Sequence, residues 1–590
     1  MKRTICHSVL EMPSRPQNAC AVRTKIDDNW QCYSWKEYFE RIELTGLGLL
    51  ELGIKQGENV VIFSNTRFEW SVLDYAIMGI KAITIPIYQT VTPEELEYIL
   101  NNCEARTLIV ENKSTWKTWQ TVKDRCPLIE NIISIDQINS DCLPLNEIKE
   151  KGQKRKLNNS DEFSQLLSSC KPEDVATILY TSGTTGLPKG VVLTHEQIMS
   201  EVSEAFPYAG VNPSDVGLSF LPYAHILGRI EHWGHTFIGY TLAYAESIDK
   251  IRNNLVEIQP TILVAVPRIF EKIYTALWTQ VEANPVKARI FKQALRIAEK
   301  VSHHRLKHEP IPLTLMLEYK AAETLVLNKI KEAFGGRLRF AISGGAPIGK
   351  EIAMFFHSCG ILILEGYGLT ETTAAICVNV PFDYRFGSVG KPIGDVQLKI
   401  AEDGEILVKS RKVMREYYKN PQATEDAFVD GWFKTGDIGE ILPSGDLKIT
   451  DRKKDLIKTS GGKYIAPQRL ESLLKLNSFI SQVLIHGDQK KYVVALITLD
   501  KNFLIEYAKQ KEISYQDIAT LSQHPSVLEM VRKGVAETNS HLASFETVKR
   551  FAVLPTDFTV EAGELTPSLK VKRKVLDKKY HKQIEALYAS

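Results

Sequence analysis

A chain of 590 residues, 44% hydrophobic and 24% charged, is too long for one ordinary core, and its composition is that of a soluble globular protein with several packed lobes. A formal net charge of +2 excludes a global pull toward nucleic acid or acidic membranes, so any electrostatic site must be local. Nine cysteines, scattered singly without a C-x-x-C pair, predict thiols in a reducing compartment, with neither a disulfide framework nor a zinc site. The N-terminus has too brief an apolar patch before Glu11 and Pro13 for a signal-peptide core, and residues 76–87 are interrupted by Lys81 and Pro86. A cytoplasmic protein without a transmembrane segment is expected, with peripheral membrane contact left open.

Residues 60–65, V-V-I-F-S-N, a helical stretch through Trp70 and Tyr75, and residues 82–88, A-I-T-I-P-I-Y, predict a strand–helix–strand crossover in a parallel sheet. Thr92, Pro93 and two acids mark the start of another helix, and residues 108–110 a further buried strand. Residues 149–171 are polar and charged and read as a solvated connector. Then comes Y-T-S-G-T-T-G-L-P-K-G-V at 180–191. Its glycines allow successive N–H groups to converge on one anion, Ser182, Thr184 and Thr185 add donors, and Lys189 adds charge. It is not a Walker loop, because Lys189 lies between Pro188 and Gly190 and runs into a β-branched strand.

Strands at 216–221 and 261–266 end in Pro222-Tyr223-Ala224-His225 and Pro267-Arg268, and strand ends are where open α/β sheets place ligands. Residues 269–333 read as long helices. Strands at 338–342 and 361–364 lead into Ser343-Gly344-Gly345-Ala346-Pro347 and Glu365-Gly366-Tyr367-Gly368, an alternation that argues a doubly wound core. From about residue 387 short strands and turns predict an antiparallel barrel-like subdomain.

The 180–191 loop resembles the phosphate-binding motif of the AMP-forming acyl-CoA synthetases, in the adenylate-forming superfamily with the luciferases. That resemblance implies an α/β fold: an N-terminal domain, residues 1–451, of doubly wound sheets with the barrel-like subdomain at about 387–451, and a smaller mobile α+β C-terminal domain, residues 452–590. It also implies ATP, Mg²⁺ and coenzyme A. Activation of an acid by ATP starts from a carboxylate already ionised at neutral pH, so the chemistry calls for cations and donors around the triphosphate rather than a general base.

On that resemblance Thr181, Ser182, Gly183, Thr184, Thr185, Gly186 and Lys189 hold the β and γ phosphates. Glu371, with Thr181, serves the metal, and Thr370 lies near the α-phosphate. Gly344 to Pro347 and Glu365 to Gly368 form the adenine slot, in which Tyr367 offers a ring, and Asp437 and Arg452 meet the ribose hydroxyls. His225 sits near the acyl carbonyl. Lys570 is similar to the C-terminal lysine that reaches the carboxylate and α-phosphate, although Leu569 stands where many relatives have glycine, so the choice between Lys570 and Lys572 is open. Lys454 is the hinge of a rotating C-terminal domain, and Gly461, Gly462 and Lys463 belong to the loop that shapes the thiol channel.

Residues 215–221, 242–247 and 266–274 and the Thr566-Pro-Ser-Leu-Lys segment resemble the long-chain fatty acyl-CoA synthetases. The expected substrates are a fatty acid, ATP and CoA, with no nucleic acid. Trp233, Phe237, Ile238 and Tyr240 fit either an apolar tunnel or plain core packing. A fatty acyl-AMP ligase that loads a carrier protein and a non-catalytic nucleotide-binding scaffold are the alternatives.

Overall fold

The computed structural model describes residues 3–17, 19–138, 141–181, 187–282, 284–559, 562–566 and 571–589. The β-branched runs Asn59–Phe63 and Ile83–Ile87 pair in parallel, Val61 opposite Ile85, and the crossover helix Phe68–Gly79 between them is buried along its whole length apart from Glu69. These strands sit at the middle of an eight-stranded sheet in the order Glu416–Tyr417, Lys189–Thr194, Val175–Thr181, Ile83–Ile87, Asn59–Phe63, Thr107–Val110, Asn131–Ser134 and Leu143–Pro144. A five-stranded sheet follows the order Ile262–Ala265, Phe340–Ser343, Ile363–Leu369, Ala374–Val378 and Lys391–Pro392, parallel through its first three strands. Two sheets with helical crossovers make the doubly wound α/β core.

Strand Ile363–Leu369 runs further than the apolar residues suggest. Glu365 to Leu369 stay extended because Ala374–Val378 pairs with them antiparallel, Tyr367 opposite Cys377. The strand expected to end at residue 364 therefore continues to Leu369, with a register shift between Tyr367 and Gly368.

Residues 149–171 are not a solvated connector. They lie in two helices, Leu145–Asn158 and Glu162–Ser169, the first beginning before the charged run. Leu145, Ile148 and Gly152 turn inward at helical spacing against the helix Trp35–Glu51, and Phe163 and Leu167 are buried below. The approach is close: a Cβ on Gly152 would lie 1.8 Å from the Leu44 carbonyl oxygen, and one on Gly48 1.9 Å from that of Ile148. Three inward residues in a charged run give little hydrophobic periodicity, yet they suffice where glycines let two helix backbones touch.

A second correction concerns sulfur. Cys20 and Cys32, on the hairpin Cys20–Ile26 and Asn29–Ser34, form a disulfide, while the other seven cysteines are buried thiols. Two adjacent antiparallel strands bring these side chains together at a separation of 12 residues, which no local motif announces.

Beyond residue 387, Gln397–Ile400, Glu405–Lys409, Trp432–Ile441, Phe428–Val429 and Leu447–Arg452 build one antiparallel sheet. The last stretch folds around the three-stranded sheet Ile480–His486, Val493–Leu499 and Val548–Val553 with flanking helices. It touches the larger body through Arg268, which donates to the Ser481 carbonyl at 3.0 Å and to its hydroxyl at 2.9 Å, and through Lys475 and Glu271 at 3.7 Å. Among the described residues no helix is long and apolar enough to cross a membrane.

Candidate active site

The ends of strands Phe340–Ser343 and Ile363–Leu369 open beside the N-terminus of helix Ile226–Ile238. His225 caps that helix, its Nδ1 accepting from the Leu227 amide at 3.1 Å. The helix is fixed from behind by a buried cluster in which Arg229 donates to Asp74 at 2.8 Å and the Trp233 indole donates to the same carboxylate at 3.3 Å. Gly345 follows the first strand with φ +81°, a conformation L side chains rarely adopt, and a Cβ there would stand 3.7 Å from His225. His225, Gly344, Gly345, Gly366, Tyr367 and Gly368 thus line one cavity.

The cavity, of about 70 Å³, has an apolar wall that includes Phe206, Val211, Ile226, Leu227, Ile230 and Val264. Trp233 and Tyr240 are instead fully buried in the core, and neither they nor Phe237 and Ile238 line it. Trp233 packs against Asp74 and the Tyr240 hydroxyl donates to the Glu231 carbonyl at 3.3 Å, whereas Ile226, Leu227 and Ile230 on the first turns of the same helix line the cavity.

Tyr367 serves a second purpose beside its ring. Its hydroxyl donates to Asp437 at 2.7 Å, and Asp437 pairs with Arg452 at 3.1 Å across adjacent strands, where the two residues are in register. This contact joins Tyr367 to Asp437 and Arg452, far apart in sequence, while Gly344 and Gly345 line the same cavity as Tyr367. Glu365 is buried with one oxygen unpartnered, and that burial pushes its carboxyl up to about 8. A folded-state value above the ordinary 4.5 means that the contribution of Glu365 to stability is full at low pH and is lost as pH rises toward 8. We expect Glu365→Gln to gain thermal stability relative to the wild type as pH goes from about 5 to about 8; parallel melting curves across that range would refute it.

Glu371 lies on a 3-10 turn, Thr370–Thr372. Tyr417 donates its hydroxyl to Glu371 Oε1 at 2.8 Å, and the Lys189 ammonium lies 4.9 Å over the Tyr417 ring. Strand Glu416–Tyr417 reaches this place by pairing with Lys189–Thr194, Tyr417 opposite Val191. Lys189 and Glu371 are therefore brought together through a tyrosine that the sequence reading missed. Thr181 sits opposite Lys189 in register, its hydroxyl 3.4 Å from the Lys189 carbonyl.

Also missed was a buried ion pair. Lys412 and Glu201 are in contact at 2.9 Å, with both side chains almost wholly enclosed. Glu201 accepts from the Ala375 amide at 2.9 Å and lines the cavity, and the Lys412 carbonyl accepts from Thr373 at 2.7 Å. The pair ties helix His195–Tyr208 to the segment just after Glu371.

Ser182, Gly183, Thr184, Thr185, Gly186 and Lys570 lie outside the described residues. Lys572 caps helix Arg573–Lys579, its amide bonded to the Glu564 carbonyl at 2.8 Å. Lys454 is exposed in the turn after strand Leu447–Arg452. Gly461, Gly462 and Lys463 turn between the short strands Ile457–Lys458 and Tyr464–Ile465, with the Lys463 ammonium 5.9 Å from the Phe545 ring. These three belong to the C-terminal body and are not among the residues lining the cavity.

The model of the AMP-binding enzyme family matches residues 12–418, and that of the AMP-binding enzyme C-terminal domain matches residues 454–590. The chain belongs to the AMP-binding enzyme family. Similar AMP-binding enzymes include a long-chain-fatty-acid–CoA ligase of Mycobacterium bovis, 37% identical over 95% of this chain and 93% of the relative. The peroxisomal long chain acyl-CoA synthetase 7 of Arabidopsis thaliana is 32% identical over 96% of this chain and 83% of its own. Among solved structures, the adenylation domain of a carboxylate reductase from Mycobacterium chelonae superposes with a TM-score of 0.77 at 20% identity, covering 100% of this chain and 91% of that one. At that identity the likeness shows the shared fold: a large N-terminal part followed by a C-terminal domain.

Proposed function

We propose that this AMP-binding enzyme activates a long-chain fatty acid with ATP and passes the acyl group to coenzyme A. The observation that carries the reading is the apolar cavity lined in part by His225, Gly344, Gly345 and Tyr367, together with relatives named as long-chain fatty acid–CoA ligases over nearly the whole chain. The cavity's volume, about 70 Å³, is below the ~300–1,000 Å³ of most ligand sites, so it suits the carboxyl end of an acyl chain rather than all of it.

In the first step a carboxylate oxygen attacks the α-phosphorus of ATP. The new O–P bond forms as the bond to the bridging oxygen breaks, and pyrophosphate leaves with that electron pair. In the second the CoA thiol gives up its proton to solvent and its sulfur attacks the acyl carbon: a C–S bond forms, the C–O bond of the mixed anhydride breaks, and AMP leaves with that electron pair. No side chain needs to remove a proton from the acid. Lys189 offsets phosphate charge, Asp437 and Arg452 receive the ribose, and Gly344 to Pro347 with Glu365 to Gly368 flank the base. Glu371 and Thr181 offer the oxygen donors that magnesium prefers, with Glu371 held by Tyr417, so the residues present fit that ion, which would neutralise phosphate charge when bound.

The C-terminal body brings Lys570 to the first step and the Gly461–Gly462–Lys463 loop to the second, turning about Lys454. Lys570→Ala is expected to depress ATP–pyrophosphate exchange by ~10²-fold or more while sparing thioester formation from supplied acyl-adenylate. Equal losses in both, or a loss with Lys572→Ala instead, would move the role elsewhere. The acceptor is tested by supplying CoA or a carrier protein's phosphopantetheine arm to enzyme loaded with acyl-adenylate: acyl-CoA is the expected product, and acylated carrier alone would favour the acyl-AMP ligase reading. Supplied adenylate left intact with both would favour a scaffold.

A further inference from the structure

Cys6 lies on helix Ile5–Leu10, Cys170 caps the C-terminal end of helix Glu162–Ser169, and His195 is the first residue of helix His195–Tyr208, which follows strand Lys189–Thr194. Backbone pairing brings the last two together. The Asp174 carbonyl accepts from the His195 amide at 3.1 Å and the Pro172 carbonyl from the Glu196 amide at 2.9 Å, which holds the residues just after Cys170 against the first turn of the histidine's helix. Helix Ile5–Leu10 packs on both of the others and adds the second sulfur.

All three side chains are buried, and one ligand atom from each lies within 4.8 Å of the other two. The Cys6 sulfur is 4.0 Å from His195 Nε2, and both sulfurs converge on one atom, the Met78 carbonyl oxygen, at 3.7 Å from Cys6 and 3.8 Å from Cys170. Among the described residues no other group of three His, Cys, Asp or Glu side chains has its ligand atoms this close.

Buried cysteines often act as small apolar residues, and that alone accounts for Cys103 or Cys359. It does not account for the imidazole. His195 is 2% exposed, its Nδ1 has no hydrogen-bond partner among the described residues, and its Nε2 faces a sulfur at the outer limit of contact. An enclosed imidazole with so little to bond to is costly unless a further group binds it.

We propose that Cys6, Cys170 and His195 form a binding site for a thiolate-seeking divalent cation, Zn²⁺. Two thiolates and an imidazole are a donor set that zinc favours, and the two thiolates cancel its charge, so the ion enters the core with no net charge left over. A Zn–S distance of about 2.3 Å and a Zn–N distance of about 2.0 Å put those two donors about 3.5 Å apart in a tetrahedral site. The 4.0 Å between Cys6 and His195 therefore closes with a shift of about half an ångström. The Met78 oxygen, beside both sulfurs, is a further donor at hand for the fourth position. On binding, the two zinc–sulfur bonds form as the two S–H bonds break, and two protons pass to solvent. No C-x-x-C pair marks the site, because its ligands stand at positions 6, 170 and 195 and only the fold assembles them. The ion would pin the N-terminal helix to the far end of the strand that begins at Lys189, a structural role separable from the reaction assigned above.

The zinc content of the untagged full chain, purified without chelator, tests this. About one zinc per chain is expected after gel filtration, with a fall of roughly tenfold or more in Cys170→Ala and in His195→Gln and none in Cys126→Ala, whose sulfur is outside the cluster. Zinc returned to chelator-treated protein should raise the melting temperature of the wild type and not that of Cys170→Ala. Cobalt in place of zinc reads the ligands in the wild type itself, where a thiolate-to-cobalt charge-transfer band and the visible bands of a tetrahedral ion are expected. A wild type that retains no zinc and takes up no cobalt would leave the three side chains to plain packing and overturn the proposal. So would cobalt bound without thiolate charge transfer, or zinc held equally by Cys170→Ala and His195→Gln.

Discussion

Glu371→Gln is expected to lower acid-dependent ATP–pyrophosphate exchange by ~10²–10³-fold with little change in thermal stability. The substitution keeps the size of the side chain and an oxygen for the Tyr417 hydroxyl, which lies 2.8 Å from the carboxylate. What it removes is the negative charge that a hard divalent cation requires. Glu371 is half-buried on a short turn, so no core packing is lost. Tyr417→Phe tests the geometry separately. It leaves the carboxylate charged but unheld, and a smaller loss, on the order of tenfold, is expected from the loss of one charge-assisted hydrogen bond. If Glu371→Gln exchanged pyrophosphate at the wild-type rate, Glu371 would have no part in the first step.

Lys412→Met carries the largest expected effect on folding, a destabilisation of ~3–5 kcal/mol, because it leaves the Glu201 carboxylate enclosed without its partner. Burial already lifts the pKa of Glu201, and Lys412 offsets only part of that lift. Removing both members, in Glu201→Leu with Lys412→Met, should restore much of the stability, since buried ion pairs cost about as much to desolvate as they return. Activity should not recover with it. Glu201 also holds the Ala375 amide at 2.9 Å, and the Lys412 ammonium donates to the Ala375 carbonyl at 3.4 Å, so the segment after Glu371 loses two anchors. Denaturant unfolding of the two variants, read beside exchange rates, separates these effects. A single variant as stable as the wild type would mean that the enclosed pair contributes nothing to folding.

The alternation of buried strands and helices carried the α/β core, because strands buried on both faces read as continuous apolar runs. What escaped the sequence lay in pairings between distant segments. The Leu145–Asn158 helix was hidden in a charged run, since only Leu145, Ile148 and Gly152 turn inward and the contact depends on glycines at 48 and 152. The Cys20–Cys32 bond follows from strand pairing that spacing alone does not announce. At the site, glycine-rich strand ends and the loop lysine were legible as local composition. Tyr417, Glu201 and Lys412 were not, because Tyr417 meets Glu371 across 46 residues and Glu201 meets Lys412 across 211. Aromatics drew attention to Trp233 and Tyr240, yet size suited them to the core, while smaller aliphatic residues on the same helix reached the cavity.

The central claim is that this chain joins the carboxylate of a fatty acid to the α-phosphate of ATP. Exchange of labelled pyrophosphate into ATP, with magnesium and a series of acids of increasing length, measures that step without the acceptor. Exchange that requires an acid and strengthens toward long chains is the predicted result. Exchange with no acid present, or none with any acid, would contradict it.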